Sequence, residues 1–424
     1  MGRARLFLVV SVSLALGALF GCSDQGVNPF DPSQDPDPPV VTSLSVSNGR
    51  AVWTTDEPAL CVLEYGESGG AYDHYVYETT KVHGTSHEVS VLGMEDGVGY
   101  DVRVRSVDRA GNEALESSVP IPLTVVGVAY GGDVMTLSMI DVGWGLSMAV
   151  TTPAGFHVLI DAAQEEHLDD VVSFLHDHGI SYLDAAVATH YHSDHVGGYE
   201  ADTGVLELFG ITDFISPAET FLFTPMSPGI ADKLELYNIP VTYVTRGSSS
   251  ENTPALDWDD TPGFRVEVLA AGLGGLVPDE GSTSGEGMNG NNDSIVMRFT
   301  FGDVSFITTG DAEYFAEYSI INAYGRDGTK ADLLQVAHHA NDDATSELWL
   351  DNVSPRVGFI SNAMIEAGLE KESVLQGLNA VNADYFITDR VYPNTPRDAP
   401  PVHGNLIALT DGEGIEIVLE EHAW

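Results

Sequence analysis

The segment Thr189-His190-Tyr191-His192-Ser193-Asp194-His195-Val196-Gly197-Gly198 crowds three imidazoles and a carboxylate into six consecutive residues. It follows the weakly polar run Tyr182 to Thr189, which reads as a buried strand opening into a loop. A structural role needs few such groups, whereas metal binding needs several at one place. If the loop start stays extended, His190 and His192 project the same way, because strand side chains alternate with period two. They then suit one ion, while Asp194 and His195, one step further round, suit a second. Neutral imidazole with carboxylate oxygen favours Zn2+, with Mn2+ or Fe2+ as other occupants. Gly197 and Gly198 read as a tight backbone turn behind the site.

Four further stretches carry chemistry-bearing residues in a fixed order: Ile140-Asp141-Val142-Gly143-Trp144-Gly145, Leu159-Ile160-Asp161, Ile307-Thr308-Thr309-Gly310-Asp311 and Leu333-Leu334-Gln335-Val336-Ala337-His338-His339. With the His-x-His-x-Asp-His-x-Gly-Gly segment, this set resembles the metallo-β-lactamase superfamily. More narrowly, it resembles the hydrolase domain of ComEC-type competence proteins, over roughly residues 130 to 420. The resemblance implies an α/β fold, the αββα sandwich, holding two divalent ions. It implies His190, His192, Asp194, His195, Asp311 and His339 as ligands, with Asp311 bridging. Asp194 and His338 are then the catalytic residues, His338 facing the substrate as proton donor or phosphate contact, and an exchange of roles between His338 and His339 stays open. Asp141 is expected to position the ligands from behind. No histidine lies between His195 and His338, so either Asn292 or Asp293 completes the first ion's ligand set, or that ion is weakly held. Two departures stand near the chemistry. Trp144 and Leu146 replace the Gln and Asp usual in the family, and Ala340-Asn341 replaces Gly-Ser. Read without the resemblance, Asp311 is a helix cap for a helix over Ala312 to Tyr324.

The N-terminal part has a different character. Arg3 and Arg5, the apolar run Leu6 to Phe20 and then Gly21-Cys22 resemble a bacterial lipoprotein signal over residues 1–21, with Cys22 as the acylated residue; a plain secretory signal is the other reading. Residues 22–38 are rich in Pro, Asp and Ser and read as a flexible tether. Residues 39–126 contain short alternating segments, including Arg50 to Trp53, Cys61 to Tyr65, His87 to Leu92 and Tyr100 to Val107, which predict an all-β sandwich. Trp53, Leu92, Tyr100 and Asp108 to Asn112 give it a resemblance to a fibronectin type III module. His74, His83 and His87 read as exposed there, and Cys61 as a buried apolar filler. Such a module would space the hydrolase from the membrane or contact a polymer or protein. Residues 130–424 form the hydrolase domain, in which Glu165 to His178 predicts an amphipathic helix through Leu168, Val171, Val172 and Leu175. Ser294 to Thr309 predicts a hairpin around Gly302-Asp303. Gly272 to Asn292 reads as a mobile loop at the site's rim.

A formal charge of −47 opposes polyanion binding at low salt, yet suits a saline exterior where screening is strong, and bound divalent cations reverse the field locally. The leading expectation is an exported, outer-membrane or cell-surface, dinuclear hydrolase. Its membrane contact is through the lipid alone, and it cleaves phosphodiesters, with extracellular DNA as the partner. The same residues admit a hydrolase of a smaller ester, such as a phosphocholine-type diester or a lactone, or a surface adhesion protein with a lapsed hydrolase domain. No apolar run after residue 21 is long enough for a membrane span, so the transport part of competence proteins is not expected here.

Overall fold

The computed structural model describes residues 37–47, 49–80, 82–95, 97–116, 123–124, 133–218, 224–274, 290–361, 372–388 and 404–421. The signal sequence with Cys22, nearly all of the tether and most of the glycine-rich stretch after Gly272 lie outside them. Among the described residues no helix is long and apolar enough to cross a membrane.

The alternating N-terminal segments form β1 (Val41–Ser47), β2 (Arg50–Glu67), β3 (His74–Glu78), β4 (Gly84–Ser90), β5 (Gly99–Asp108), β6 (Glu113–Glu116) and β7 (Leu123–Thr124). β2 is long: its first half pairs with β1 and β4, its second with β3 and β5. Trp53, Leu63, Tyr65, Val89, Val102 and Val104 are among the residues of these strands that share one core. Cys61 is buried as expected, but His87 is buried too, its Nδ1 2.9 Å from Glu78 and its Nε2 3.6 Å from Cys61 Sγ. The alternation that exposes one strand face buries the other, and His87 lies on the inner one.

The rest of the chain alternates strands and helices: β8 (Met135–Met139), β9 (Met148–Thr151), β10 (His157–Ile160), α1 (Leu168–Asp177), β11 (Tyr182–Val187), α2 (Ser193–Glu200), α3 (Val205–Leu208), β12 (Gly210–Pro217), α4 (Pro228–Leu236) and β13 (Val241–Val244). A second set follows: β14 (Arg265–Ala270), β15 (Val296–Phe301), β16 (Val304–Thr308), α5 (Tyr314–Thr329), β17 (Leu333–Gln335), α6 (Glu347–Val353), β18 (Val357–Ile360), α7 (Glu372–Ala380) and β19 (Asp384–Ile387), closed by β20 (Gly404–Thr410) and β21 (Gly414–Glu421). β14 to β19 make one sheet in sequence order; β13 back to β8 make the other, extended through β20 and β21.

The two sheets face each other across a core that includes Leu137, Val150, Val268, Phe299, Phe306 and Phe359. Period-two alternation supplies both faces at once: Ala185 and Val187 point into this core, while Ala186 and Ala188 meet α1, α2 and α4 on the outside. On the other sheet Leu333 points inward and Leu334 meets α5, α6 and α7. The result is a helix, sheet, sheet, helix stack, a mixed α/β architecture in which strand ends and their following loops gather at one rim.

The N-terminal strands extend this stack rather than hang beside it. β21 pairs antiparallel with β3, with Ile415 opposite Tyr77 and Ile417 opposite Tyr75. At the junction buried Arg105 bonds both Glu64 on β2 and Asp384 on β19, and Tyr77 Oη donates to Asp384 at 2.8 Å. Buried Glu416 accepts from Tyr65 and faces His74 Nδ1 at 2.7 Å. Removing one partner of a buried ion pair leaves an uncompensated charge. Arg105→Ala is therefore expected to lower the unfolding free energy by roughly 3–5 kcal/mol in urea melts of the full chain, as one shared transition. An unchanged midpoint would contradict this picture of the junction.

Candidate metal centre

His190 lies just beyond β11, and His192 stands immediately before α2 in extended backbone, φ −75° and ψ 148°. Asp194 and His195 occupy the first turn of α2, held by the His195 and Val196 N–H groups donating to the His192 carbonyl. Gly197 and Gly198 do not make the expected turn, since both are helical. Side chains there would strike the backbone of Gln164 and Glu165 and the carbonyl of Ala162. Their absence lets α2 press onto the loop after β10.

Asp311 follows β16 through Gly310, whose φ is +53° and whose added Cβ would sit 2.8 Å from Thr189 Oγ1 and 2.9 Å from Ser294 Oγ. Two reasons thus favour glycine there, backbone region and space. α5 starts later than expected, at Tyr314 with Glu313 before it, so Asp311 caps no helix and its carboxylate faces the histidines. β17 ends at Gln335, short of His338 and His339. His338, His339 and Ala340 are all left-handed, with φ of 49°, 53° and 63°. Backbone of this kind in bulky residues costs on the order of 1–3 kcal/mol each and persists only where surroundings impose it. Asn341 N–H donates to the His338 carbonyl at 2.8 Å and Ala337 N–H to Thr345 Oγ1 at 3.0 Å.

Three groups of His, Asp and Glu converge among the described residues, with ligand atoms in each group within 4.8 Å of one another: Asp194, His195, Asp311 and His339; His190, His192 and Asp311; and Glu313, His338 and Asp343. Asp311 belongs to the first two. Its Oδ2 lies 3.1 Å from His195 Nε2 and 3.9 Å from His190 Nε2, and its Oδ1 lies 3.6 Å from His339 Nε2. His339 Nε2 is also 3.7 Å from Asp194 Oδ2. His190 Nε2, His195 Nε2 and Asp311 Oδ1 are buried without a well-directed hydrogen bond, although such groups ordinarily have one. Buried nitrogen and oxygen donors pointing at a common space fit a divalent metal site.

Outer partners fix the imidazoles. Asp161 Oδ2 sits 2.7 Å from His195 Nδ1 and also accepts from Thr189 Oγ1 at 2.6 Å; Thr189 N–H donates to Asp161 Oδ1 at 2.7 Å. His190 Nδ1 has Thr189 Oγ1 at 3.2 Å and Ser294 Oγ at 3.3 Å, and His339 Nδ1 donates to the Ser361 carbonyl at 3.0 Å. In each case the outer nitrogen is engaged and the inner one is directed at the cluster, the arrangement metal-binding histidines need. Burial, with His195 adding to it, drives His190 well below its ordinary pKa and keeps it neutral. For His195 burial acts in the same direction, but Asp311 and Asp161 outweigh it and raise it well above the usual value. Burial would raise Asp311, yet His195, His339 and His338 hold it well below the carboxylate range. A proton on His195 thus provides positive charge at the place a cation would occupy.

His338 lies apart from His339, its Nδ1 2.8 Å from Asp343 Oδ1 and its Nε2 3.3 Å from Asn291 Nδ2 and 3.9 Å from Asp311 Oδ2. Asn292 and Asp293 do not complete the group around His190 and His192. Asn292 Oδ1 accepts from the N–H groups of Glu313 and Ala316 at the start of α5, and its Nδ2 donates to Glu313. Asp293 accepts from the N–H groups of Thr224 and Gly274 and enters none of the three converging groups. Asp141 Oδ1 accepts from Gly143 N–H and shapes the turn carrying Trp144. Asp161 was visible only as part of a motif, without a role; Glu313 and Asp343 had no signal at all.

No protein-family model matches this chain. The chain is 27% identical over 242 residues to ComE operon protein 3 of Bacillus subtilis, covering 53% of this chain and 28% of that protein. It is 26% identical over 228 residues to competence protein ComA of Neisseria gonorrhoeae, covering 54% of this chain and 27% of that one. It thus spans little more than a quarter of these relatives' length. Among solved structures it is similar to the metallo-β-lactamase-fold protein YhfI of Bacillus subtilis, at 12% identity and TM-score 0.36, covering 59% of this chain and 96% of that one. It is also similar to a diphosphatase of the PhnP family, at 13% identity and TM-score 0.31, covering 53% and 85%.

Glu317, buried on α5, braces the strained histidine loop by accepting from the N–H groups of Thr345 and Ser346. Burial raises its pKa from 4.5 to about 7 against those hydrogen bonds. A carboxyl raised on folding gives stability that is full below its unfolded pKa and lost as pH rises through the folded one. Glu317→Gln cannot ionise. Its advantage over the parent in chelator is expected to grow by roughly 2–3 kcal/mol between about pH 5 and pH 8, read from urea midpoints. Parallel pH profiles would contradict this.

Proposed function

We propose that the chain is a metal-dependent hydrolase of the ComEC-like metallo-β-lactamase type that cleaves phosphodiesters, extracellular DNA first among them. The observation that carries the reading is the sharing of buried Asp311 between the His190/His192 group and the Asp194/His195/His339 group. On this reading His190, His192, Asp194, His195, Asp311 and His339 hold two divalent ions, Zn2+ or Mn2+. When bound, such ions activate water and stabilise charge on phosphoryl oxygens. Asp161, Thr189 and Ser294 orient the imidazoles so that their free nitrogens face the substrate's end of the stack. Burial would lower His338, but Asp311 and Asp343 raise it to about 9, so it carries a proton at neutral pH. Asp343 holds Nδ1, and Nε2, beside the Asn291 and Asn341 amides, is on this reading the nitrogen that protonates the departing oxygen. The resemblance of residues 1–22 to a lipoprotein signal supports, on this reading, an enzyme at the cell surface or outside it.

A second reading, hydrolysis of a smaller ester such as a phosphocholine-type diester, is favoured by the charge of −47, since a small substrate meets less repulsion than DNA. Salt separates the two: DNA affinity falls steeply with ionic strength, whereas a small ester's hardly changes.

With Zn2+ or Mn2+ the full chain is expected to hydrolyse bis-p-nitrophenyl phosphate and to lose that activity on chelation and in His192→Ala. His338→Ala is expected to slow cleavage of DNA on the order of 10²–10⁴-fold. It should barely affect the p-nitrophenyl diester, whose leaving oxygen needs no proton. Absence of metal-dependent turnover on DNA, RNA and small diesters alike would overturn the hydrolase reading in favour of an adhesion protein.

A further inference from the structure

The turn from Gly143 to Leu146 touches Asp194 and His339, two members of one half of the proposed centre. Trp144 Nε1 donates to Asp194 Oδ2 at 3.2 Å, and the indole packs on the His339 ring with centroids 4.8 Å apart and planes at 37°. Leu146 N–H donates to the Asp194 carbonyl at 3.0 Å. Gly145 has φ +127°, and a Cβ there would lie 2.5 Å from the Asp194 carbonyl oxygen, so the close approach requires glycine. Ser361 Oγ donates to the Gly145 carbonyl at 2.6 Å, while the Ser361 carbonyl accepts from His339 Nδ1 at 3.0 Å. Asp194, the turn, Ser361 and His339 thus close a ring of contacts. The hydrogen bonds on His190 come instead from Thr189 and Ser294.

We infer that Trp144 is a positioning residue for the half-site formed by Asp194, His195, Asp311 and His339, and makes that half the tighter of the two. The inference rests on the dinuclear reading above. The indole N–H is a donor only, and its bond to Oδ2 fixes the rotation of the Asp194 carboxylate. The ring face fixes the His339 imidazole. Both groups are therefore held before any ion arrives, and their ordering cost is met in folding. The other half has three converging groups, two of them histidines outside this turn. The partly buried indole also touches two of the proposed ligands directly, so the part of the five tryptophans' emission that Trp144→Phe removes reports on that half.

The test uses the full chain stripped of metal and titrated with Zn2+ against a chromophoric chelator, with tryptophan emission followed in parallel. The parent is expected to bind two ions in unequal steps, with the emission change complete at the first. Trp144→Phe keeps a ring on His339 but lacks the N–H donor. It is expected to weaken the tight step about tenfold, leave the weak step unchanged and abolish the emission change. His192→Ala is expected to remove the weak step and keep the tight one. Unchanged binding in Trp144→Phe, or equal weakening of both steps, overturns the role assigned to Trp144. A parent that takes up no Zn2+ overturns the metal reading itself, which is a separate result.

Discussion

The arrangement depends on one buried anion. Asp311 sits almost without solvent contact among His190, His195, His338 and His339, and an isolated carboxylate cannot be kept there without compensating charge. The fold brings the groups around it from two directions. One sheet delivers His190, His192, Asp194 and His195 after β11, and the other delivers Asp311 after β16 and His339 after β17. The carboxylate therefore joins the two layers at their rim, and anything that moves either sheet moves the site.

The local irregularities follow from that demand. Gly310 brings backbone against Thr189 and Ser294, Gly145 brings it against Asp194, and the left-handed run at His338, His339 and Ala340 turns adjacent imidazoles into different groups. Each would be unfavourable alone. Glu317, Thr345, Ser361 and Asp161 provide the hydrogen bonds that hold them, so the strain is concentrated where ligand atoms must converge. The N-terminal strands contribute at a distance: by pairing β3 with β21 and burying Arg105 against Asp384, they cover an edge that would otherwise expose unpaired backbone.

Much of this was legible in the sequence because it is local. The spacing of His190, His192, Asp194 and His195, the strand before them and the Gly-Asp after β16 are short-range patterns, and period-two alternation marks both faces of the paired sheets. What was not legible depends on distance along the chain. Glu313 reaches His338 from the start of α5, and Asp343 reaches it because the left-handed run from His338 to Ala340 turns the chain back. Asn292 and Asp293 read as alternative ligands, but Asn292 bonds the start of α5 and Asp293 the N–H groups of Thr224 and Gly274. Gly197 and Gly198 looked like a turn because glycine's conformational freedom is a local signal, whereas its lack of a side chain beside Ala162 and Gln164 is a tertiary one. The continuity of the N-terminal strands with the sheet of β8 to β13 also has no sequence signature, since β-pairing between remote segments is encoded only in their exposed edges.

Anomalous scattering from a crystal of the full chain grown with Zn2+ tests the central claim most directly. The account requires two peaks, one among His190, His192 and Asp311 and the other among Asp194, His195, Asp311 and His339, with the Asp311 carboxylate touching both. A crystal saturated with Zn2+ that shows no peak at these residues, or shows the ion only at Glu313, His338 and Asp343, would contradict it.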